Sequence, residues 1–230
     1  MEIKKDFYKK KDVADDYLEF RYGGNSGKLV LGEENSTLQG LLPHYKEGIV
    51  LDVPVGTGRI SNMLNIYKKK IGADFSKEML NKAKEKEYSS LIRCDAECIP
   101  LIKHSMDIVI SLRLFSHYKS MDPFIKEYSR LLKINGVLIF DTVRWSPRSI
   151  QPEVCKILGG KVFVHIRKNI IKLLASYGFE LVDQKSRFLL PNIFYRYLPY
   201  CITKGIISIE KFIPDSLKVT TFWKFQKINN

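Results

Sequence analysis

Apolar residues recur along this chain with two alternating periods. Short β-branched runs bounded by glycine or charge predict buried strands: GIVLDVPV (48–55), IGADF (71–75), SLIRCD (90–95), MDIVISL (106–112) and GVLIFDTV (136–143). Helical spacing falls between them. ISNMLNIYKKK has apolar residues at 60, 63, 64 and 66, and SKEMLNKAKEK opens on a capping Ser76 with Glu78 in its first turn. MDPFIKEYSRLLK carries Pro123 near its start, and KNIIKLLASYG is stopped by Gly178. Strands alternating with helices at this spacing imply an α/β fold with a doubly wound, mostly parallel sheet and right-handed crossovers. FELVDQKSRFLL (179–190) and VTTFWKFQK (219–227) bring the strands to seven. The stretch between those two, 191–218, is too long for a hairpin and reads as a helical insert. Residues 1–47 are polar and helix-prone, broken at RYGGNSGK, with a second amphipathic piece in EENSTLQGLLPHY. The expected organisation is one domain over 1–230: an N-terminal helical cap (1–47), a core (48–190 and 219–230) and the insert.

Composition supports a single core. The chain has 230 residues and is 45% hydrophobic, enough for one domain with an appended element but cramped for two. No apolar run approaches the roughly 18 residues of a membrane-spanning helix. The charged start MEIKKDFYKKKD has no apolar stretch behind it to act as a secretory signal, so a cytoplasmic protein is expected. Cys94, Cys98, Cys155 and Cys201 suit that compartment as reduced thiols. Cys94 and Cys98 lack a second pair at zinc spacing, so no metal is expected. A net charge of +13 attracts nucleic acid or acidic lipid over about a Debye length. That bears on encounter rather than chemistry.

The candidate chemistry lies in VLDVPVGTGR (50–59), where an apolar run ends in Asp52 and then a glycine turn. In open parallel sheets ligands bind at the carboxyl ends of the strands, beside the first strand. The dinucleotide fingerprint G-x-G-x-x-G is not met, because Gly56-Thr57-Gly58 is followed by Arg59, Ile60 and Ser61. Asp52 argues further against a pyrophosphate: two like charges about 5 Å apart repel by roughly 3 kcal/mol at an effective dielectric near 20. A cationic ligand suits it. Asp74 follows at about 20 positions, the spacing of the acid that accepts from ribose hydroxyls. Asp95 ends the third run and can accept from an exocyclic amine of adenine.

In these motifs the chain resembles class I S-adenosylmethionine-dependent methyltransferases, the group that includes quinone C-methyltransferases and many small-molecule O- and N-methyltransferases. LDVPVGTG, GADFSKEML, DAECIPL, MDIVISL and LLKINGVLIF match its successive motifs in order over roughly residues 15 to 185. The resemblance implies a Rossmann-like sheet and S-adenosylmethionine as cofactor. It implies that Gly56 and Gly58 let backbone approach the methionine moiety, with Pro54, Thr57 and Arg59 in the same turn. It further implies that Asp74 holds the ribose, that Phe75 and Met79 flank the adenine, that Asp95 and Ala96 contact its edge, and that Ser76, Ser111 and Leu112 also belong to the cofactor site. Pro54 departs from the usual glycine; it fixes φ and removes an N–H.

Methyl transfer is an in-line displacement that needs positioning above all, and a base only where the acceptor must lose a proton. His117, after the fourth strand, and Asp141, ending the fifth, are the candidate catalytic residues; packing by His117 and capping by Asp141 are the plain alternatives. The fourth strand reads SLRL, unlike the Asn-Pro-Pro-Tyr pattern of amino-methylating nucleic-acid enzymes, and there is no Pro-Cys nucleophile. In the insert, Ile202, Ile206, Ile209 and Ile213 recur at helical spacing beside Phe194, Tyr195, Tyr197, Tyr200 and Phe212. Such a segment is fit to roof an apolar acceptor pocket, to rest on a membrane surface, or to pack on the sheet edge. The expected partner is a small or lipid-like acceptor, with RNA or membrane contact through the basic surface. An RNA or protein methyltransferase and a cofactor-binding, non-catalytic homologue are the alternatives.

Overall fold

The computed structural model describes residues 19, 21–44, 47–149 and 161–229. The helix-prone first stretch over 1–18 and Cys155 lie outside them. In chain order the elements are α1 (Gly24–Gln39), β1 (Ile49–Asp52), β2 (Lys69–Asp74), α2 (Lys77–Ala83), β3 (Ser90–Arg93), β4 (Met106–Ser111), α3 (Asp122–Leu131) and β5 (Leu132–Val143). They continue with α4 (Arg167–Ser176), β6 (Phe179–Arg187), α5 (Asn192–Tyr195), α6 (Tyr200–Ile209) and β7 (Thr220–Lys227).

Among the described residues the sheet has seven strands in the order β3-β2-β1-β4-β5-β7-β6. The first five are parallel, while β7 runs antiparallel to both β5 and β6. The alternation along each strand splits the core into two layers. Leu51, Val109, Leu138, Phe140, Trp223 and Phe225 face one side, against Phe124, Ile125, Tyr128 and Leu131 of α3 and Ile170 and Leu174 of α4. Val50, Ile108, Ile110, Ile139 and Phe222 face the other, against Val30 and Leu38 of α1 and Tyr195. Every strand expected from the sequence is present.

Two expectations are corrected. The helix expected over 60–70 is a 3-10 turn, Ser61–Ile66, and β2 already begins at Lys69. The buried Lys70 ammonium explains this: it reaches back to Ser61 Oγ at 2.7 Å and Ser61 O at 3.2 Å, fastening the strand to the short turn. The helix expected to run to Lys133 ends at Leu131, because its last carbonyls are taken by the N–H groups of His104 (2.9 Å, to Arg130) and Ser105 (3.0 Å, to Leu131). The break expected at RYGGNSGK falls at Gly23, which is extended between the helical residues 21–22 and the start of α1. Glycine is needed there: a Cβ on Gly27 would lie 2.3 Å from the Tyr22 carbonyl carbon.

The insert packs α5 and α6 against α1. Its inward face is Thr203, Ile206, Ile207 and Glu210, so of the expected stripe Ile206 and Ile213 are half-buried while Ile202 and Ile209 point to solvent. No helix among the described residues is long and apolar enough to cross a membrane.

Candidate functional site

The carboxyl ends of β1, β2 and β4 and the segment after β3 open into one cavity of about 630 Å³, a volume typical of small-ligand sites. The turn after β1 is stitched to both neighbouring strands: Val53 N–H donates to Ile110 O at 2.9 Å, and Val55 N–H to Ala73 O at 2.8 Å. Pro54 lies between them after a cis peptide bond, so the residue without an N–H falls where the sheet draws its donors from either side. Gly56 has φ 54° and a Cβ there would meet nothing within 4 Å. A left-handed backbone open on its side-chain face lets a ligand approach the main chain.

Each acid is held differently. Asp74 accepts from Gly56 N–H at 2.8 Å and Ser76 N–H at 2.9 Å; burial raises its pKa, which these donors oppose. Asp52 is 2% exposed and accepts from the Tyr88 hydroxyl at 2.6 Å. Burial pushes its pKa up to about 7, against the pull of the Tyr88 hydrogen bond and the Arg59 charge. Asp95 Oδ1 accepts from Glu97 N–H at 3.2 Å, which shapes the loop after β3.

The opposite wall is the loop after β4. Phe115 is fully buried and edge-on to Phe124, Tyr128 and Phe140, so it anchors the 3-10 turn that carries His117 to the cavity. Arg113 adopts φ 62°, and its N–H donates to Asp141 Oδ1 at 2.6 Å, a partner that holds a left-handed non-glycine residue in place. Phe163 N–H donates to Ser116 O at 2.9 Å, adding an aromatic side chain to the same wall. Burial pushes the neighbouring Tyr118 phenol up to about 12.

Of the expected cofactor residues, all but Gly58 and Ser111 line the cavity, and His117 lines it too. Gly58 (φ 73°) faces Lys86 and Tyr88, where a Cβ would come within 3.2 Å. Ser111 is buried behind the wall on the Tyr128 hydroxyl, at 3.0 Å. Asp141 likewise sits behind the wall, on Arg113 rather than on the cavity.

Sequence reasoning missed a buried cluster centred on Glu34 of α1. Glu34 has no exposed surface, accepts from the Tyr22 hydroxyl at 2.6 Å and Asn192 Nδ2 at 2.7 Å, and pairs with Arg59 at 3.3 Å and with Arg113. Both arginines line the cavity, so α1 holds the glycine-turn side and the β4 side of the site at one carboxylate. In the sequence Glu34 is the second of two adjacent glutamates, with nothing local to set it apart.

These residues fit a positively charged sulfur nucleoside. Thr57 Oγ1 is buried without a hydrogen-bond partner on the cavity wall, Gly56 opens the backbone, and three carboxylates converge where a pyrophosphate would be repelled. The segment after the turn is a short 3-10 piece rather than an α-helix N-terminus, so the usual phosphate-binding geometry is missing there.

Residues 51–140 match the methyltransferase domain family. Over 176 residues the chain is 31% identical to a malonyl-[acyl-carrier protein] O-methyltransferase of Marinomonas sp., covering 71% of this chain and 60% of that protein. A ubiquinone biosynthesis O-methyltransferase of Pelagibacter ubique is 27% identical over 117 residues, 49% of this chain and 48% of that protein. The chain spans less than two thirds of the length of these curated relatives. Among solved structures, the magnesium protoporphyrin IX methyltransferase of Synechocystis superposes with a TM-score of 0.67 at 12% identity, covering 98% of each chain, and shares the fold. Motif order, strand order and the acid-lined cavity agree with this match: residues 51–140 carry a methyltransferase domain on the fold of the class I S-adenosylmethionine-dependent methyltransferases.

Proposed function

We propose that the chain transfers the methyl group of S-adenosylmethionine to a small apolar or aromatic acceptor. The observation that carries this reading is the convergence of Asp52, Asp74 and Asp95 on one cavity whose remaining wall includes Leu112, Leu114 and Phe163. The two curated relatives are O-methyltransferases by name, which supports oxygen as the first acceptor atom to test, before nitrogen or carbon. Residues 1–230 are read as one methyltransferase domain with 1–47 as its cap. The free thiols Cys94, Cys98 and Cys201 support the cytoplasm as its compartment.

When bound, S-adenosylmethionine supplies an electrophilic methyl group on a positively charged sulfur. Asp52 would hold the ligand's ammonium, Asp74 its ribose hydroxyls and Asp95 the amine of the adenine, with Phe75 and Met79 on either side of that ring; all five line the cavity. The Thr57 hydroxyl, buried without a hydrogen-bond partner, would donate to the methionine carboxylate, and Gly56, whose N–H is held by Asp74, would leave room for it beside the main chain. Holding acceptor and methyl in line supplies about 7 to 11 kcal/mol of the barrier reduction. His117 lines the cavity and would serve as the base for an acceptor hydroxyl. Isothermal titration with S-adenosylmethionine tests the binding half, and absence of heat at high micromolar cofactor ends the reading. Turnover over a panel of apolar hydroxylated acceptors tests the rest; binding without any turnover would favour a non-catalytic homologue.

A second reading, methylation of RNA or protein, draws on the net charge of +13. Filter binding at two salt concentrations decides it, since phosphate contacts weaken steeply with salt.

A further inference from the structure

We infer that the insert docks the molecule on an anionic lipid surface, at the rim where the candidate site opens. Of thirteen exposed large apolar side chains among the described residues, six fall between 197 and 217, so they are concentrated rather than scattered. Ile202 and Ile209 stand seven positions apart on the outer side of α6, at 48% and 50% exposure, and Phe212 just beyond is 78% exposed. Leu217, 59% exposed, follows; its carbonyl accepts from the Trp145 indole N–H at 3.4 Å, which brings a second aromatic side chain to the same end.

Topology places this face at the site's edge. Val143 at the end of β5 pairs with Thr220 at the start of β7, and Thr220 pairs with Arg187 at the end of β6. The insert therefore leaves and returns on the same rim as the carboxyl ends of β1 and β4, which open into the cavity.

Charge selects the partner. The two acids of the stretch are turned to other cations: Glu210 is buried facing Arg187 at 3.8 Å, and Asp215 pairs with Lys218 at 2.8 Å. Lys204 and Lys211 are exposed, and the Lys211 ammonium lies 5.0 Å from the centre of the Phe212 ring. Apolar and aromatic tips beside lysines, on a chain of net charge +13, match an interface of acyl chains under anionic head groups. This deepens the proposed function: an apolar acceptor dissolved in the bilayer would reach the cavity from the docked rim.

Tryptophan fluorescence tests it. Trp145 is 38% exposed while Trp223 is buried at 2%, so a change on adding vesicles reports Trp145. Vesicles of phosphatidylcholine mixed with phosphatidylglycerol should shift the emission to the blue and protect it from an aqueous quencher; phosphatidylcholine alone should do little, and added salt should reverse the effect. Ile209→Asp with Phe212→Asp should lower partitioning about tenfold or more, and Lys204→Glu with Lys211→Glu should lower it as well. Both pairs should unfold at the wild-type temperature, because these side chains are exposed. No shift with anionic vesicles, or a shift that both double variants retain, overturns the proposal. So does light scattering that shows a dimer dissolved by Ile209→Asp, or RNA that displaces the protein from vesicles. Vesicle binding is read without cofactor, and cofactor heat without lipid, so the two readings fail independently.

Discussion

Asp52 is the residue on which the site's electrostatics turn. Its carboxyl holds a proton to about pH 7 because burial removes water from the charged form. A cationic ligand favours the charged form, so S-adenosylmethionine affinity should rise as the pH passes upward through about 7; calorimetry across that range checks it. Stability runs the other way. A carboxyl whose folded pKa exceeds its unfolded value of 3.8 contributes stability that is full below that value and is lost as pH rises through about 7. Asp52→Asn can still accept from Tyr88, so it should flatten this dependence, raise the apo melting temperature at alkaline pH, and weaken cofactor binding. His117→Ala separates chemistry from packing: a base role predicts turnover reduced by 10²–10⁴-fold at an unchanged melting temperature, whereas equal falls in both mean packing. Neither residue's setting was visible in the chain. The three aspartates stood at legible strand ends, but the Tyr88 hydroxyl on Asp52 comes from 36 positions away.

At the level of elements, short apolar runs rich in β-branched residues located the strands, because a strand covered on both faces keeps apolar residues at successive positions. Helices were less legible where long-range partners set their ends, as Lys70 does for the 3-10 turn and residues 104–105 do for α3. Within β2, Gly72 leaves no room for a side chain: a Cβ would lie 2.7 Å from Leu91 Cδ2 and 2.9 Å from Val55 Cγ2. Gly72→Ala should therefore cost about 1–3 kcal/mol in chemical denaturation, since the clash falls on branched core side chains. Helix α1 acts through Glu34. Glu34→Ala removes the buried carboxylate shared by the Arg59 and Arg113 guanidinium groups, 13% and 16% exposed, leaving them Asn35 and Asp141 as partners, and should cost about 3 kcal/mol while weakening cofactor binding. A loss of stability with unchanged affinity would show that α1 supports the fold without ordering the site.

Across the whole molecule, cofactor binding and folding are linked. At a cofactor concentration about 100 times Kd the folded state should gain about 2.7 kcal/mol, read as a rise in melting temperature, and Asp52→Asn should abolish most of that rise. The sequence by itself determined the strand succession, the glycine turn and the acids at the strand ends. Each is a local matter: backbone freedom at one residue, alternation across a pleat, a carboxylate where a strand stops. Only the tertiary structure decided which groups meet. It turned Asp141 onto Arg113 and away from the cavity, joined α1 to both walls through Glu34, and sent the insert to the open rim with Ile209 and Phe212 outward. Burial and ion pairing depend on distance in space, and residues 34, 59 and 113 become neighbours only after the sheet and its helices have packed.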